Sequence, residues 1–317
     1  MKLERYLNRI GFEGTPRADL ATLRRVHRAH ALHIPYENLD VQLGRPVSRD
    51  ASRIYDKIVD GRRGGWCYEQ NGLLAWALEE IGFRLTRLAG GVGRAKVGDR
   101  AIGNHLVLLV HLDDDYLADT GFGDGLVEPV PLRAGLITQG PSSFDLEKLE
   151  SDWWRLHGDP RNGDLSFDFE TTPADGALLE RQCQWLQSSP ESVFVQNAVV
   201  QRHLGHQHAA LRGCLLRFAG HAGETRELGS ADEYVATLAE TFGIELPEAS
   251  SLWPRIQARH REVFPDGYRP GTWSPRRVNC SSGASISRSA VTSMSLIRIS
   301  SAPPARFSFS PGSVVVS

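Results

Sequence analysis

The chain has 317 residues with a net charge of −2, and 41% of its residues are apolar and 23% charged. This is the make-up of an ordinary soluble protein, long enough for two or three domains. The near-neutral balance leaves no electrostatic footprint for nucleic acid or an anionic membrane surface, and no apolar run approaches the length of a membrane span. The four cysteines, Cys67, Cys183, Cys214 and Cys280, lie far apart and show no CxxC or Cys/His ligand spacing. That is the usage of a reducing compartment rather than of a disulfide framework. The charged start, residues 1–7, lacks the apolar core of a secretory signal, so a cytoplasmic protein is expected.

In chain order, Leu3, Tyr6, Leu7 and Ile10 form one helical face closed by Gly11. Leu20, Leu23 and Val26 begin a second helix that runs into a histidine-rich stretch. His27, His30 and His33 recur every third residue, but without a carboxylate or cysteine at ligand spacing they read as solvated or packing residues rather than a metal site. Pro35 bars regular helix across residues 34–39, which should be extended. A third helix is expected around residues 52–59, carrying Ile54 and Ile58. The stretch 62–71, Arg-Arg-Gly-Gly-Trp-Cys-Tyr-Glu-Gln-Asn, then leads into a further helix. Leu73, Leu74, Ala77, Leu78 and Ile81 form its apolar face, and Gly82 stops it.

After Gly82 the apolar period changes to two, the mark of strands. Strands are expected at residues 84–92, 104–112 and 116–119, with a polar loop at 93–103, a turn at 113–115 and a flexible loop at 121–125. Strands at 152–157 and 165–170 follow, joined through a turn-rich segment, and the succession suggests a small antiparallel barrel or sandwich. Beyond residue 177 the reading is mixed: a helix at 177–186, strands at 194–202, 209–218 and 225–228, a helix from a Ser230 cap to Phe242, and a last helix at 246–264. His203, His206 and His208 span a hairpin turn and read as solvated rather than metal-binding. After Asp266 the chain has no Asp, Glu or Lys and serine dominates. That composition fits a disordered extension or an end altered by readthrough or a frame change.

The chemistry-bearing residue is Cys67. It falls at the start of a helix, where free N–H groups and the helix dipole favour a thiolate, the attacking form of cysteine. Gly64 and Gly65 allow a tight turn and are expected to leave room for a substrate beside the sulfur. His105 opens the strongest strand and Asp119 ends the next one. In a simple hairpin register His105 faces a residue two to four positions beyond Asp119, so a bulge or a diagonal contact would have to join them. Taken singly, His105 reads as an edge-strand residue and Asp119 as a loop cap. Taken together with Cys67 they supply a thiol, a base and an orienting acid, a nucleophile triad.

Residues 63–72 (Arg-Gly-Gly-Trp-Cys-Tyr-Glu-Gln-Asn-Gly) closely resemble the nucleophile motif of the arylamine N-acetyltransferases. The resemblance extends to Ile-Pro-Tyr-Glu-Asn-Leu at 34–39, Asn-His-Leu at 104–106, Asp-Thr-Gly-Phe-Gly at 119–123, Ser-Val-Phe-Val-Gln-Asn at 192–197 and Leu-Trp-Pro-Arg at 252–255, covering about residues 1–265 in order. Thr120 departs from the family, which more often has an apolar residue there. The resemblance implies an α+β fold with a cysteine-protease-like catalytic core. Residues 1–83 would be a helical bundle carrying the nucleophile, 84–190 an antiparallel β-barrel carrying the histidine and the aspartate, and 191–273 an α/β lid, with 274–317 as a tail outside the match. It implies Cys67, His105 and Asp119 as catalytic residues in ping-pong transfer of acetyl from acetyl-CoA to an arylamine, arylhydrazine or hydrazine. Acetyl-CoA would be a co-substrate, with no permanently bound cofactor and no metal, and the partners would be small molecules. Phe122 is expected to line the acceptor pocket, or else to be plain core packing. Gly123 is expected to allow close approach of the cofactor, and Arg63 and Glu37 to form an internal ion pair. The rival reading is a cysteine amidase or peptidase, or another acyltransferase, using the same three residues.

Overall fold

A computed structural model describes residues 1–162, 165–220 and 223–266. The expected tail, Cys280 and the last residues of the expected lid lie outside the described residues.

The N-terminal part is helical because its apolar residues repeat at helical spacing, and two of its helices start on an aspartate cap. Helix α1 (Leu3–Arg9) is followed by α2 (Leu20–His33), whose first turn is closed by the Asp19 carboxylate accepting from the Thr22 N–H. The short strand β1 (Tyr36–Glu37) and helix α3 (Leu39–Gln42) follow. Helix α4 (Ala51–Tyr55), capped by Asp50, continues into a single π turn at Asp56–Asp60. Helix α5 (Cys67–Ile81) ends at Gly82, which adopts φ +104°, a left-handed conformation that suits glycine. Tyr6, Ile10, Leu23, Val26, Ile54, Ile58, Leu74 and Leu78 pack together as the core of this part.

The next strands are β2 (Arg84–Val92), β3 (His105–His111), β4 (Asp115–Ala118), β5 (Val130–Pro131), β6 (Gly135–Gln139), β7 (Ser142–Lys148), β8 (Trp153–His157) and β9 (Ser166–Glu170). They form one antiparallel sheet in the order β5-β4-β3-β2-β9-β8-β7-β6, a nearly closed barrel. Strand β3 is buried on both faces. Leu108 and Val110 pack on the helical core, and Val107 and Leu109 pack into the barrel with Phe144, Phe167 and Phe169. The strand is thus the wall shared by helices and barrel, and its first residue is His105.

The remaining elements include helices α6 (Arg94–Val97, between β2 and β3), α7 (Gly176–Ser188) and α8 (Val193–Gln196), and strands β10 (Val199–His203), β11 (His208–Arg212), β12 (Leu215–Ala219) and β13 (Glu224–Glu227). Helices α9 (Ala231–Phe242) and α10 (Trp253–Val263) complete the described chain. The second sheet runs β1-β10-β11-β12-β13, so the Pro35-Tyr36-Glu37 stretch of the helical part is its edge strand, with Tyr36 opposite Gln201.

Several expectations are corrected. The polar loop at 93–103 holds α6 and a 3-10 turn at Gly98–Ala101. Residues 194–202 are not one strand: Ser192 caps α8, and strand pairing starts only at Val199. Residues 209–218 are two strands split by Gly213, at φ +58°. The last helix begins as a 3-10 turn at Pro247–Leu252. Strands β5, β6 and β7 were not expected at all. His208 is buried rather than solvated, while His206 is exposed; His27 and His30 are buried, the packing alternative of their two readings.

Candidate active site

Cys67 is the first residue of α5 and is 3% exposed. Its turn is tied to β1: the Glu37 N–H donates to the Gly65 carbonyl at 3.0 Å and the Gly65 N–H to the Pro35 carbonyl at 3.3 Å. Both glycines are required by close approach. A Cβ on Gly64 would sit 2.1 Å from the Pro35 oxygen, and one on Gly65 would sit 2.7 Å from Glu69 Cβ. The room expected for a substrate is therefore filled by the protein itself. The Trp66 N–H donates to Glu69 Oε2 at 3.2 Å, half of a capping box. No described group accepts from the Cys67 or Tyr68 N–H, as expected for the first turn of a helix.

Beneath this turn lies a cluster of five charged side chains. Arg63 donates to Glu37 Oε1 at 2.7 and 3.1 Å and to Asp40 at 3.3 Å. Lys57 reaches Asp40 at 2.8 Å and Glu69 at 2.8 and 3.1 Å. Burial pushes the Glu69 carboxyl up to about 7, against the pull of Lys57. Burial acts to lower the Lys57 ammonium, but Glu37, Glu69 and Asp40 outweigh it and hold its pKa above the usual lysine value. The expected Arg63–Glu37 pair is present within this larger network.

His105 and Asp119 meet at 2.8 Å between Nε2 and Oδ2, with both side chains buried. The β3–β4 ladder ends at Leu108 opposite Ala118, and continuing that register puts His105 opposite Gly121, two positions beyond Asp119. The contact is the diagonal one anticipated from the sequence. Burial alone lowers the imidazole pKa, but the Asp119 carboxylate outweighs it, and with a hydrogen bond to Cys67 the value is raised to about 10. Asp119 moves the other way. Burial raises its pKa, while His105, Asn71 and the Gly121 N–H prevail and hold it below the usual carboxylate range. With Nε2 on Asp119, Nδ1 is the ring nitrogen left for the Cys67 thiol.

Asn71, one turn into α5, joins the two halves. Its Nδ2 donates to Asp119 Oδ1 at 2.7 Å and to the Leu106 carbonyl at 2.6 Å, and its Oδ1 accepts from the Thr120 N–H at 2.9 Å. The Gly121 N–H donates to Asp119 Oδ1 at 2.8 Å, and a Cβ on Gly121 would fall 2.8 Å from Cys67 Cα. A cavity lined by Ile34, Tyr36, Thr120, Gly123 and Gln201 reaches Asp119. A buried thiol, an imidazole and a carboxylate in series can activate sulfur as a nucleophile toward an acyl group.

A family model described as N-acetyltransferase matches residues 19–251. The arylamine N-acetyltransferase of Mycolicibacterium smegmatis is 36% identical over 284 residues, 83% of this chain and 98% of the relative, and that of Escherichia coli is 30% identical over 78% and 90%. The chain belongs to the arylamine N-acetyltransferase family. It is an acetyltransferase enzyme by this membership. Among solved structures, the Mycobacterium marinum arylamine N-acetyltransferase in complex with CoA superposes with a TM-score of 0.72 at 30% identity, covering 81% of this chain and 98% of that one.

Within this family fold, Phe122 stands edge-on to His105 with ring centroids 5.6 Å apart, and it also packs against Phe167 at 5.2 Å. It is at once barrel packing and a wall beside the imidazole. Gly123 adopts φ +84°, and a Cβ there would lie 2.4 Å from Gln201 Nε2. The conformation and the Gln201 amide by themselves account for glycine at this position. The nucleophile motif contains Asn71 without marking its role; the sequence signal for that role is its spacing, one turn after Cys67, on the side of the helix that carries the sulfur.

Proposed function

We propose that the chain transfers acetyl from acetyl-CoA to the nitrogen of an arylamine, arylhydrazine or hydrazine in two half-reactions that meet at Cys67. The observation that carries this reading is the series of Cys67 at the start of α5, His105 beside it, and Asp119 at 2.8 Å from the far ring nitrogen. The family membership and the relative solved with CoA support the choice of acyl donor.

In the first half-reaction the Cys67 sulfur, its proton held by His105, attacks the thioester carbonyl. The free N–H groups of Cys67 and Tyr68 are suited to stabilise the oxyanion. The intermediate collapses by expelling CoA thiolate, which takes the proton from His105, and acetyl remains on Cys67. In the second half-reaction the amine attacks the acetyl-cysteine carbonyl, His105 removes the amine proton, and the Cys67 thiolate leaves. Asp119 keeps the imidazole in one tautomer and stabilises its cation. Phe122, beside the imidazole, is assigned to the acceptor wall and Gly123 to the approach of CoA. Residues 1–83 form the nucleophile-bearing part, 84–190 the part bearing His105 and Asp119, and the described residues from 191 to 266 the lid. The three described cysteines are all free thiols, in keeping with a reducing, cytoplasmic setting.

Initial rates with acetyl-CoA and an aniline or hydrazine acceptor test the order of events. Parallel double-reciprocal lines are expected. Intersecting lines would demand a ternary complex and remove the covalent intermediate, and faster transfer to water than to any amine would make the chain a hydrolase.

A further inference from the structure

The sequence singles out His27 and His30 by their spacing, and the acetyl-transfer chemistry makes no use of either. Both sit on α2 with no exposed surface. Each spends both ring nitrogens on hydrogen bonds, and the partners fix the tautomer. His27 Nδ1 lies 2.9 Å from the Val127 carbonyl, which only accepts, so Nδ1 carries the proton. Its Nε2 is therefore a bare acceptor, and it takes the backbone N–H of Asp119 at 3.1 Å. His30 has the opposite tautomer. The Gln70 amide nitrogen donates to the Pro35 carbonyl at 2.7 Å and the Gly65 carbonyl at 3.2 Å, which turns Gln70 Oε1 toward His30 Nε2 at 2.7 Å. His30 Nε2 thus donates, and Nδ1 accepts from the Tyr6 hydroxyl at 2.9 Å.

The placement of these bonds is informative. The β4–β5 ladder ends at Leu117 opposite Val130, and continuing its register would bring Asp119 opposite Glu128. At that point the strands have parted. The imidazole of His27 fills the gap, accepting from Asp119 on one side and donating to Val127 on the other, as a substitute rung. The His30–Gln70 pair does the same for the other half of the site, holding the carbonyls of Pro35 and Gly65 on either side of the turn into Cys67. Burial lowers the pKa of both rings, that of His30 to about 3, so each keeps the single proton its bonding pattern needs.

We propose that His27 and His30 are positioning residues for acetyl transfer, a pair of braces one helical turn apart that fix the triad acid and the nucleophile turn to the same helix. This rests on the assignment of Cys67, His105 and Asp119 as the catalytic series. His27 acts through Asp119, and His30 acts through Gln70 and the Gly65 carbonyl; neither touches a reacting atom.

The bonding pattern sets the test. Glutamine places its terminal amide near the Nε2 position of a histidine and can present oxygen or nitrogen there, whereas the shorter asparagine reaches only the Nδ1 position. His27→Gln and His30→Gln therefore keep the bond toward the active site, and His27→Asn and His30→Asn lose it. Two rates are read on the full chain: acetyl-Cys67 formation in single turnover with acetyl-CoA, and alkylation of Cys67 by iodoacetamide across pH 5–10. The asparagine variants should form acetyl-enzyme about 10- to 100-fold more slowly, by analogy with the loss on removing the outer-shell partners that orient metal ligands. In His27→Asn the alkylation profile should also be displaced along the pH axis, while KM for acetyl-CoA stays within about twofold of wild type. The glutamine variants should recover to within about threefold. Equal losses in the Gln and Asn variants, or wild-type rates in all four, would overturn the proposal. Should an asparagine variant fail to fold, its glutamine counterpart decides, since a folded Gln variant slowed more than tenfold contradicts the brace. A wild-type chain that never acetylates Cys67 would instead sink the acetyl-transfer reading, and the alkylation rates would still report on the braces.

Discussion

The two halves of the candidate site share neutral braces but differ in charge. The turn that presents Cys67 adds to its His30–Gln70 pair a charged base, with Arg63 and Lys57 clamped among Glu37, Asp40 and Glu69 below Gly64 and Gly65. The loop that presents Asp119 rests on polar groups without formal charge, namely His27, Asn71, the Gly121 N–H and Thr120, and among the described residues its one ionic contact is His105. The difference has a physical logic. A formal charge beside Asp119 would compete with the imidazolium for the carboxylate, whereas dipolar partners orient the acid and leave its charge for His105. The nucleophile turn has no such constraint, and paired charges fix its backbone firmly, since removing one partner from a buried ion pair is costly.

The largest effect should come from breaking the acid's half. Asp119→Asn keeps the shape but removes the charge that holds His105 protonated. The expected loss is about 10³- to 10⁴-fold in kcat with the fold intact by circular dichroism, the scale of an acid-to-amide change in a triad. A silent variant would mean that the diagonal contact has no part in catalysis. Next is the charged half. Arg63→Met leaves Glu37, with no exposed side-chain surface, facing one cation fewer, and should cost about 3–5 kcal/mol in urea unfolding. A cost under about 1 kcal/mol would show that Lys57 alone suffices. Asn71→Ala, at the join, leaves the Thr120 N–H and one Asp119 oxygen short of a partner, at about 1–3 kcal/mol of stability by thermal melt.

The pH dependence of stability follows from the same pair. His105 has its folded pKa raised, so its contribution is complete below the unfolded value of about 6.5 and is lost as pH rises toward about 10. Asp119 has its folded pKa lowered, so its contribution is present above about 3.9 and lost as pH falls through the lower folded value. Urea unfolding of wild type against Asp119→Asn should therefore differ most between about pH 4 and 6.5, and the gap should narrow above pH 7. A gap that widens with pH would place the charge elsewhere. The smallest effect is expected at Thr120→Val. The backbone N–H bond to Asn71 survives, and only the 3.2 Å hydroxyl contact is lost, so stability should change by under about 1 kcal/mol.

Much of this was legible in the residues. The face of α5, its stop at Gly82 and the glycine pair before Cys67 follow from helical periodicity and backbone freedom, and hairpin register showed that His105 could reach Asp119 only through a bulge or a diagonal contact, of which the structure has the diagonal one. Strands β5 to β7 were not legible because Pro129, Pro131, Gly135, Gly140 and Pro141 break the stretch into pieces too short to show a period, and its pairing depends on neighbours outside each piece. Val193–Gln196 is apolar and β-branched enough to read as strand, and the Ser192 cap together with bonds from Asn38 and Gln42 to the Phe194 and Val195 carbonyls holds it as a helical turn. The roles of His27 and His30 were hidden for a different reason. Spacing revealed that they share a helix face, but bonds to Asp119 and Gln70 are set by tertiary packing, not by local pattern.

Transfer through Cys67 requires that one acetyl group rest on one sulfur. Mixing the protein with acetyl-CoA in the absence of any amine, then mapping peptides by mass, tests it directly. A single added acetyl on Cys67, absent in Cys67→Ala and discharged by an aniline, is the predicted result. An acetyl group on Cys183, on Cys214 or on no residue would contradict it.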